Sequence, residues 1–265
     1  MNSIISSFNQ IKQFAKEYGL PTSKKKAIIR EYLQVKILDL IYQNPISLNI
    51  YFVGGTSLRL LRNLDRFSED LDFDCSNIQS FDVKNLMDSV YEFLLKEYFL
   101  KEHIFLYYNK TKKRQYFELR FKKILYDLNI SKNKDEKLVI KFDFENYWKE
   151  EKKETILLRR YGYLANIITI PINQILVQKL LAFVNRKEIL LRDIYDIVWL
   201  YAQGAKIDKS FAKKNKLDKL LFKVKDKYAK NEKKLFRYEY KLKPFLLDGD
   251  NVKKIYLFKS VLLDL

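Results

Sequence analysis

The chain holds one cysteine, Cys75, and one histidine, His103, in 265 residues. One cysteine excludes an internal disulfide framework and any zinc site built from several thiolates. One histidine excludes a His-rich metal centre and a relay of imidazoles. Both read as structural residues, Cys75 as a small buried side chain. Glycine and proline are scarce, at 6 and 4, and no linker of low complexity or internal repeat is visible. No apolar run approaches the length that spans a bilayer. The stretch Met1-Asn2-Ser3-Ile4-Ile5-Ser6-Ser7 lacks the basic and long apolar segments of a signal peptide. The expectation is a cytoplasmic protein without a membrane partner.

Negative charge is also in short supply. Asp and Glu number 33 against 51 Lys and Arg, a formal net charge of +18. An excess of this size favours a polyanionic partner. No amphipathic membrane anchor is recognisable, so nucleic acid is the expected partner. Basic residues mix with aromatics near the C-terminus, in Lys213-Lys214-Asn215-Lys216, Lys223-Val224-Lys225 and Lys230-Asn231-Glu232-Lys233-Lys234, with Phe236, Tyr238 and Tyr240 close by. Such mixtures suit phosphate contact and base stacking, although a single lysine cluster is more often a solvated helix face. With 48% hydrophobic and 15% aromatic residues, the chain can bury a sizeable core.

What is present is concentrated in two adjacent stretches. An apolar run, Ile50-Tyr51-Phe52-Val53, ends in Gly54-Gly55 and leads into a helical segment from about Thr56 to Arg62. Bare backbone N–H groups at such a junction can hold phosphate oxygens. No Gly-Lys-Ser/Thr follows, which disfavours a P-loop. Next comes Arg66-Phe67-Ser68-Glu69-Asp70-Leu71-Asp72-Phe73-Asp74. On a strand, Asp70, Asp72 and Asp74 share one face, and Leu71 and Phe73 take the other. Carboxylates so spaced repel each other but suit hard divalent cations. A further alternating run, Leu138 to Glu145, sets Lys141, Asp143 and Glu145 opposite Ile140, Phe142 and Phe144. Asp143 is thus a candidate third metal ligand, or an ordinary half-exposed strand residue.

Helical spacing marks Lys24 to Gln43, with Ser23 as its cap and Pro45 as its stop. Asp82 to Tyr98, Ile172 to Phe183 and Arg192 to Tyr201 also read as helices. His103 to Tyr108 and Tyr116 to Phe121 read as strands joined by a polar turn around Lys110 to Lys113. The remainder is a basic, mostly helical tail.

Gly54-Gly55-Thr56-Ser57-Leu58-Arg59-Leu60-Leu61, together with Arg66-Phe67-Ser68-Glu69-Asp70-Leu71-Asp72-Phe73, resembles the nucleotidyltransferase toxins of the abortive-infection AbiEii/AbiGii type, from type IV toxin–antitoxin systems. Gln178-Lys179-Leu180 and Arg192-Asp193-Ile194-Tyr195-Asp196 resemble the family's later lysine helix and Arg-Asp-x-x-Asp segment. The resemblance implies an α+β fold: a polymerase-β-like core with a small mixed sheet and flanking helices over residues 1–165, and a helical region over 166–265 that completes the cleft and contacts RNA. It implies that Gly54 and Gly55 approach the triphosphate, that Thr56, Arg66, Arg192 and Asp193 join them in nucleotide binding, and that Ser68 lies at the site. Asp70 and Asp72, with Asp143, would hold Mg²⁺, with Mn²⁺ as the alternative. Lys179 would contact phosphate, and Asp196 or Asp193 would complete the site. Taken alone, Lys179 could simply reach from an apolar helix to the surface, and Arg192 with Asp196 could be an i,i+4 ion pair.

The activity this implies is NMP transfer from an NTP to RNA, at the 3′ acceptor end of tRNA, which blocks translation. A cognate antitoxin without an obligatory stable complex is the further expected partner. Transfer to a protein or small-molecule hydroxyl, and a non-catalytic nucleotide- or RNA-binding regulator, are the alternatives.

Overall fold

The structure is a computed structural model that describes residues 3–98, 103–111 and 114–265. These form two compact units. The first comprises the described residues within Met1–Arg62, Ser68–Tyr147 and Thr155–Thr169, and the second comprises Asn63–Phe67, Trp148–Glu154 and Ile170–Leu265.

The first unit opens with helices α1 (Ser3–Glu17) and α2 (Lys25–Tyr42). Helix α2 buries Ile28, Ile29, Leu33, Val35, Ile37, Leu38 and Ile41, the apolar positions that its spacing marks. Its N-cap is Lys24, with no side-chain hydrogen bond, so Ser23 does not cap it. Then follow β1 (Ile50–Val53), α3 (Gly54–Arg62), β2 (Leu71–Cys75), α4 (Ser80–Tyr98), β3 (Ile104–Lys110), β4 (Arg114–Phe121), the short α5 (Ile124–Asp127) and β5 (Leu138–Glu145). Within the expected polar turn between β3 and β4, Lys112 and Lys113 lie outside the described residues.

Five strands make one sheet in the order β1-β2-β5-β4-β3. Strand β2 is antiparallel to β1 and parallel to β5, while β4 is antiparallel to both β5 and β3. This is the small mixed sheet expected for the fold. One face is the core side. Phe73 stacks on Phe144 with ring centroids 4.7 Å apart, and Phe117 meets Phe144 edge-on. Leu119, Ile140 and Phe142 fill the same layer and are fully buried.

A two-stranded hairpin, β6 (Glu154–Arg160) and β7 (Tyr163–Thr169), completes this unit. Its two-residue turn, Tyr161-Gly162, has φ of +53° and +81°, the left-handed pair that matches hairpin twist. Tyr161 is buried and donates its hydroxyl to Glu31 at 3.1 Å. Glu31 also accepts from Arg59 Nε at 2.8 Å. This buried network ties α2, α3 and the hairpin together.

The second unit is helical: α6 (Ile172–Asn185), α7 (Leu191–Ala202), α8 (Lys209–Lys214), α9 (Leu220–Leu235), several 3₁₀ turns and α10 (Phe258–Asp264). Phe183 and Tyr228 pack on Phe258 at its centre. Among the described residues, no helix is long and apolar enough to cross a membrane.

Candidate active site

The glycine pair and the acidic strand meet in the first unit. Gly54 has φ +77°, a conformation that side-chain-bearing residues resist. A Cβ there would overlap Asp72 Oδ2 and lie 2.9 Å from Asp72 Cγ. Glycine is therefore required twice over, by the turn and by the carboxylate packed against it. Helix α3 begins at Gly54, two residues before the position that the sequence pattern marks. The amides of its first turn have no intrahelical acceptor, which leaves donors for an anion.

Asp72 stands opposite Val53 on one side and Asp143 on the other. Paired residues on neighbouring strands point to the same face, so the two carboxylates are neighbours on the face opposite the phenylalanine layer. Asp74 shares this face by alternation but is buried, at 4% exposure. Asp70 precedes β2, and its backbone is fixed by Thr56, whose hydroxyl donates to the Asp70 carbonyl. Thr56 is fully buried, so its side chain faces inward and its amide is what it can offer to a ligand. Gln34 donates to the carbonyls of Ser68 at 3.2 Å and Glu69 at 2.9 Å. Arg30 pairs with the Glu69 carboxylate. Helix α2 thus holds the segment that delivers Ser68 and Asp70.

Arg114 pairs with Asp143, and its Nε lies 3.8 Å from Glu145 Oε1. The hydrogen bond to Asp143 is the main cause that raises the Arg114 pKa. Burial pushes the Glu145 carboxyl up, against the pull of Arg114. Tyr116 stands opposite Asp143 and donates to Glu118. Burial, that hydrogen bond and nearby carboxylates push its phenol well above the usual range, so it remains a neutral donor.

Among the described residues, no group of three or more His, Cys, Asp and Glu side chains is gathered so as to hold a metal ion by itself. Mg²⁺ usually takes one or two carboxylates and completes its shell with water and substrate phosphate. Asp72 and Asp143 are a pair of that kind, and the all-oxygen donor set suits a hard cation. The residues therefore fit a divalent metal held jointly with a phosphate-bearing substrate.

Another set of expected site residues meets within the second unit. Asp196 is fully buried. Arg66 grips it with two nitrogens, Nε to Oδ1 and Nη2 to Oδ2, both at 2.7 Å. Lys179 Nζ lies 2.7 Å from Oδ2. Burial alone would raise the Asp196 pKa, but the charges of Arg66 and Lys179 outweigh it and hold it at about 2. Arg66 also donates from Nη1 to the Phe67 carbonyl at 2.9 Å. Asp196 thus fixes Arg66 and Lys179 from beneath, and its pairing is with these two rather than with Arg192. Asp193 is buried too, with Arg186 Nε 2.7 Å from its Oδ2. That contact is an ion pair, and Asp193 Oδ2 accepts no hydrogen bond. Arg192 is half-buried and lines a cavity of about 680 Å³ with Lys187, Lys227, Lys241 and Tyr238.

Several members of these arrangements carry no sequence signal. Arg114, Gln34 and Glu31, the partner of the motif residue Arg59, lie outside the motifs, and each acts on a partner at least 28 residues away. Cys75 is buried, as its isolation suggests.

Comparison with curated proteins gave no match. Among solved structures, JHP933 from Helicobacter pylori is 20% identical, with a TM-score of 0.51 over 90% of this chain and 92% of that one. An H. pylori protein assigned as a nucleotidyltransferase is 23% identical, with a TM-score of 0.52 over 90% and 95%. At such identities these two share the fold. The family model for the nucleotidyl transferase AbiEii toxin of type IV toxin–antitoxin systems matches residues 36–250. That match runs past the last recognisable motif and takes in both glycines, both acidic strands and the Asp196 cluster. The chain belongs to the AbiEii family of nucleotidyltransferase toxins, enzymes that act on an NTP with a divalent metal and are paired with an antitoxin.

Proposed function

We propose that the protein transfers an NMP from an NTP to RNA in a Mg²⁺-dependent reaction. The acceptor is the 3′ end of tRNA, and the modified tRNA is lost to translation. The observation that carries the reading is the Asp72–Asp143 pair in register, with Gly54 set against Asp72 at the start of α3. A net charge of +18 supports a polyanionic acceptor.

The reaction is an in-line displacement. The terminal hydroxyl of the acceptor attacks the α-phosphorus, the bond to the β-phosphate oxygen breaks, and pyrophosphate leaves. The amides of Gly54, Gly55 and Thr56 receive triphosphate oxygens. Asp70 and Asp72, with Asp143, hold the metal. A bound divalent ion supplies positive charge to the oxygens that gain negative charge as the bond breaks. Asp143 is also the group suited to take the proton of the attacking hydroxyl. Ser68 lines the site beside Asp70. Lys179 contacts phosphate, Arg192 and Asp193 belong to the nucleotide-binding region, and Arg66 and Asp196 act as positioning residues through Lys179. The helical residues 166–265 contribute RNA contacts. The antitoxin works without an obligatory stable complex with this chain.

The test is incubation with each α-labelled NTP and Mg²⁺, in parallel with tRNA, with a protein extract freed of RNA, and with no acceptor. Label at the 3′ end of tRNA is expected. Label found only on protein or on a small molecule contradicts the RNA reading. NTP binding without transfer to any acceptor contradicts catalysis.

A further inference from the structure

The sheet face that carries Asp72 and Asp143 continues across β4 to the edge strand β3, and it changes character as it goes. The strand register defines three rows. The first is Asp72, Asp143, Tyr116 and Asn109. Two residues along, Lys141, Glu118 and Tyr107 stand side by side. Two further along are Val139, Arg120 and Phe105. The opposite face of the same strands holds the buried Leu119, Ile140, Phe117 and Phe142.

On this outer face the aromatic rings are open. Phe105 is 36% and Tyr107 46% exposed. Solvent-facing positions of an edge strand more usually carry charged side chains that discourage pairing. Here a cation sits over one face of each ring: the Arg120 guanidinium lies 5.4 Å from the Tyr107 centroid, and Lys122 Nζ lies 4.3 Å from that of Phe105. Lys141 adds a further exposed cation. The one carboxylate among the second and third rows, Glu118, is already neutralised, with Arg120 Nη2 2.6 Å from Oε2. Net positive charge remains.

We propose that this face is a platform for single-stranded RNA. Bases stack on Phe105 and Tyr107, Lys122 and Lys141 meet the phosphates, and the strand is led along the sheet toward the Asp72–Asp143 pair. Two features select this occupant. Exposed rings with flanking cations match a polymer that presents flat bases and negative charge together. The platform is also continuous with the carboxylates, and row three is about 14 Å along the strands from row one. An RNA end lying on it has its terminal hydroxyl at the carboxylates. The proposal rests on the reading that RNA is the acceptor, but it concerns binding and is tested as binding.

The experiment measures the affinity of full-length protein for a fluorescent 12-mer single-stranded RNA and for a duplex of the same sequence, in wild type and in a Phe105→Ala/Tyr107→Ala double variant. A conservative Phe105→Tyr/Tyr107→Phe variant is the control, and NTP binding and circular dichroism monitor the fold. The single strand is expected to bind more tightly than the duplex. The alanine variant is expected to lose about ten- to a hundredfold in single-strand affinity, with NTP binding unchanged and the conservative variant close to wild type. Single-strand affinity that survives the alanine changes overturns the platform, including the case in which those changes abolish binding of a protein partner. Failure of wild type to bind single-stranded RNA overturns it as well. If wild type binds RNA through these rings but transfers nothing to it, the acceptor reading fails and the platform stands.

Discussion

Gly54 carries its left-handed backbone directly against the carboxylate of Asp72, leaving no space for a Cβ between helix α3 and strand β2. One residue therefore sets both the donors of the helix start and the nearest oxygens of the acidic strand. Gly54→Ala is expected to cost about 1–2 kcal/mol in backbone strain alone, and to displace Asp72 as well. Thermal unfolding should show the loss of stability. Nucleotidyl transfer, assayed well below the new melting temperature, should fall by more than the folded fraction explains. A variant with wild-type activity contradicts this role for the contact.

Asp196 is held charged in a dry setting. Its pKa of about 2 lies below the ordinary 3.8. A depressed carboxylate contributes stability that is complete above its unfolded pKa and is lost as the pH falls through the folded one. The window is therefore between about pH 4 and pH 2, and the contribution is about 2 kcal/mol. Asp196→Asn leaves two cations without their counter-charge and should destabilise by about 3–5 kcal/mol at pH 7. Chemical denaturation across pH 2 to 7 should show this gap narrowing toward the acid end. A gap independent of pH contradicts the assignment.

Lys179 can be removed more gently, because Arg66 still holds Asp196 through two hydrogen bonds. Lys179→Met should retain most of the stability and lower kcat/KM by about a hundredfold, as loss of one stabilising cation at a developing charge does. Steady-state kinetics with varied NTP checks this. An unchanged kcat/KM reduces Lys179 to a packing residue.

If Asp143 holds the metal as proposed, Arg114, which pairs with Asp143, competes for it. Since Arg114 is about half exposed, its pairing is weak, within about 1 kcal/mol. Arg114→Ala should tighten divalent-ion binding by up to about fivefold, measured by Mn²⁺ titration with electron paramagnetic resonance. Weaker Mn²⁺ binding contradicts the competition.

Much of the first unit is legible in the sequence, because its strands alternate cleanly. Leu138–Glu145 is a strand over the full alternating run. Phe73 and Leu71 are core residues and Asp72 is not. Other features depend on distant partners. Nothing local announces that β2 lies parallel to β5, with each residue paired to one 71 positions later in the chain, and the neighbouring carboxylates follow from that pairing. Arg66 and Asp196 are 130 residues apart. On spacing alone, Asp196 pairs with Arg192; the fold gives it Arg66 and Lys179 instead. Hairpin β6–β7 does carry a local sign in Tyr161-Gly162, but the first of these is a tyrosine, which the turn tolerates because its ring is buried on Glu31. Ser23 has the chemistry of a cap, yet the helix starts one residue too late for it.

The most direct measurement compares wild type with Asp72→Ala on purified tRNA, α-labelled NTP and Mg²⁺, with EDTA as a parallel treatment. The account predicts label at the tRNA 3′ end from wild type and none above background from Asp72→Ala or in EDTA, with the variant's circular dichroism unchanged. Equal labelling by the two proteins contradicts it.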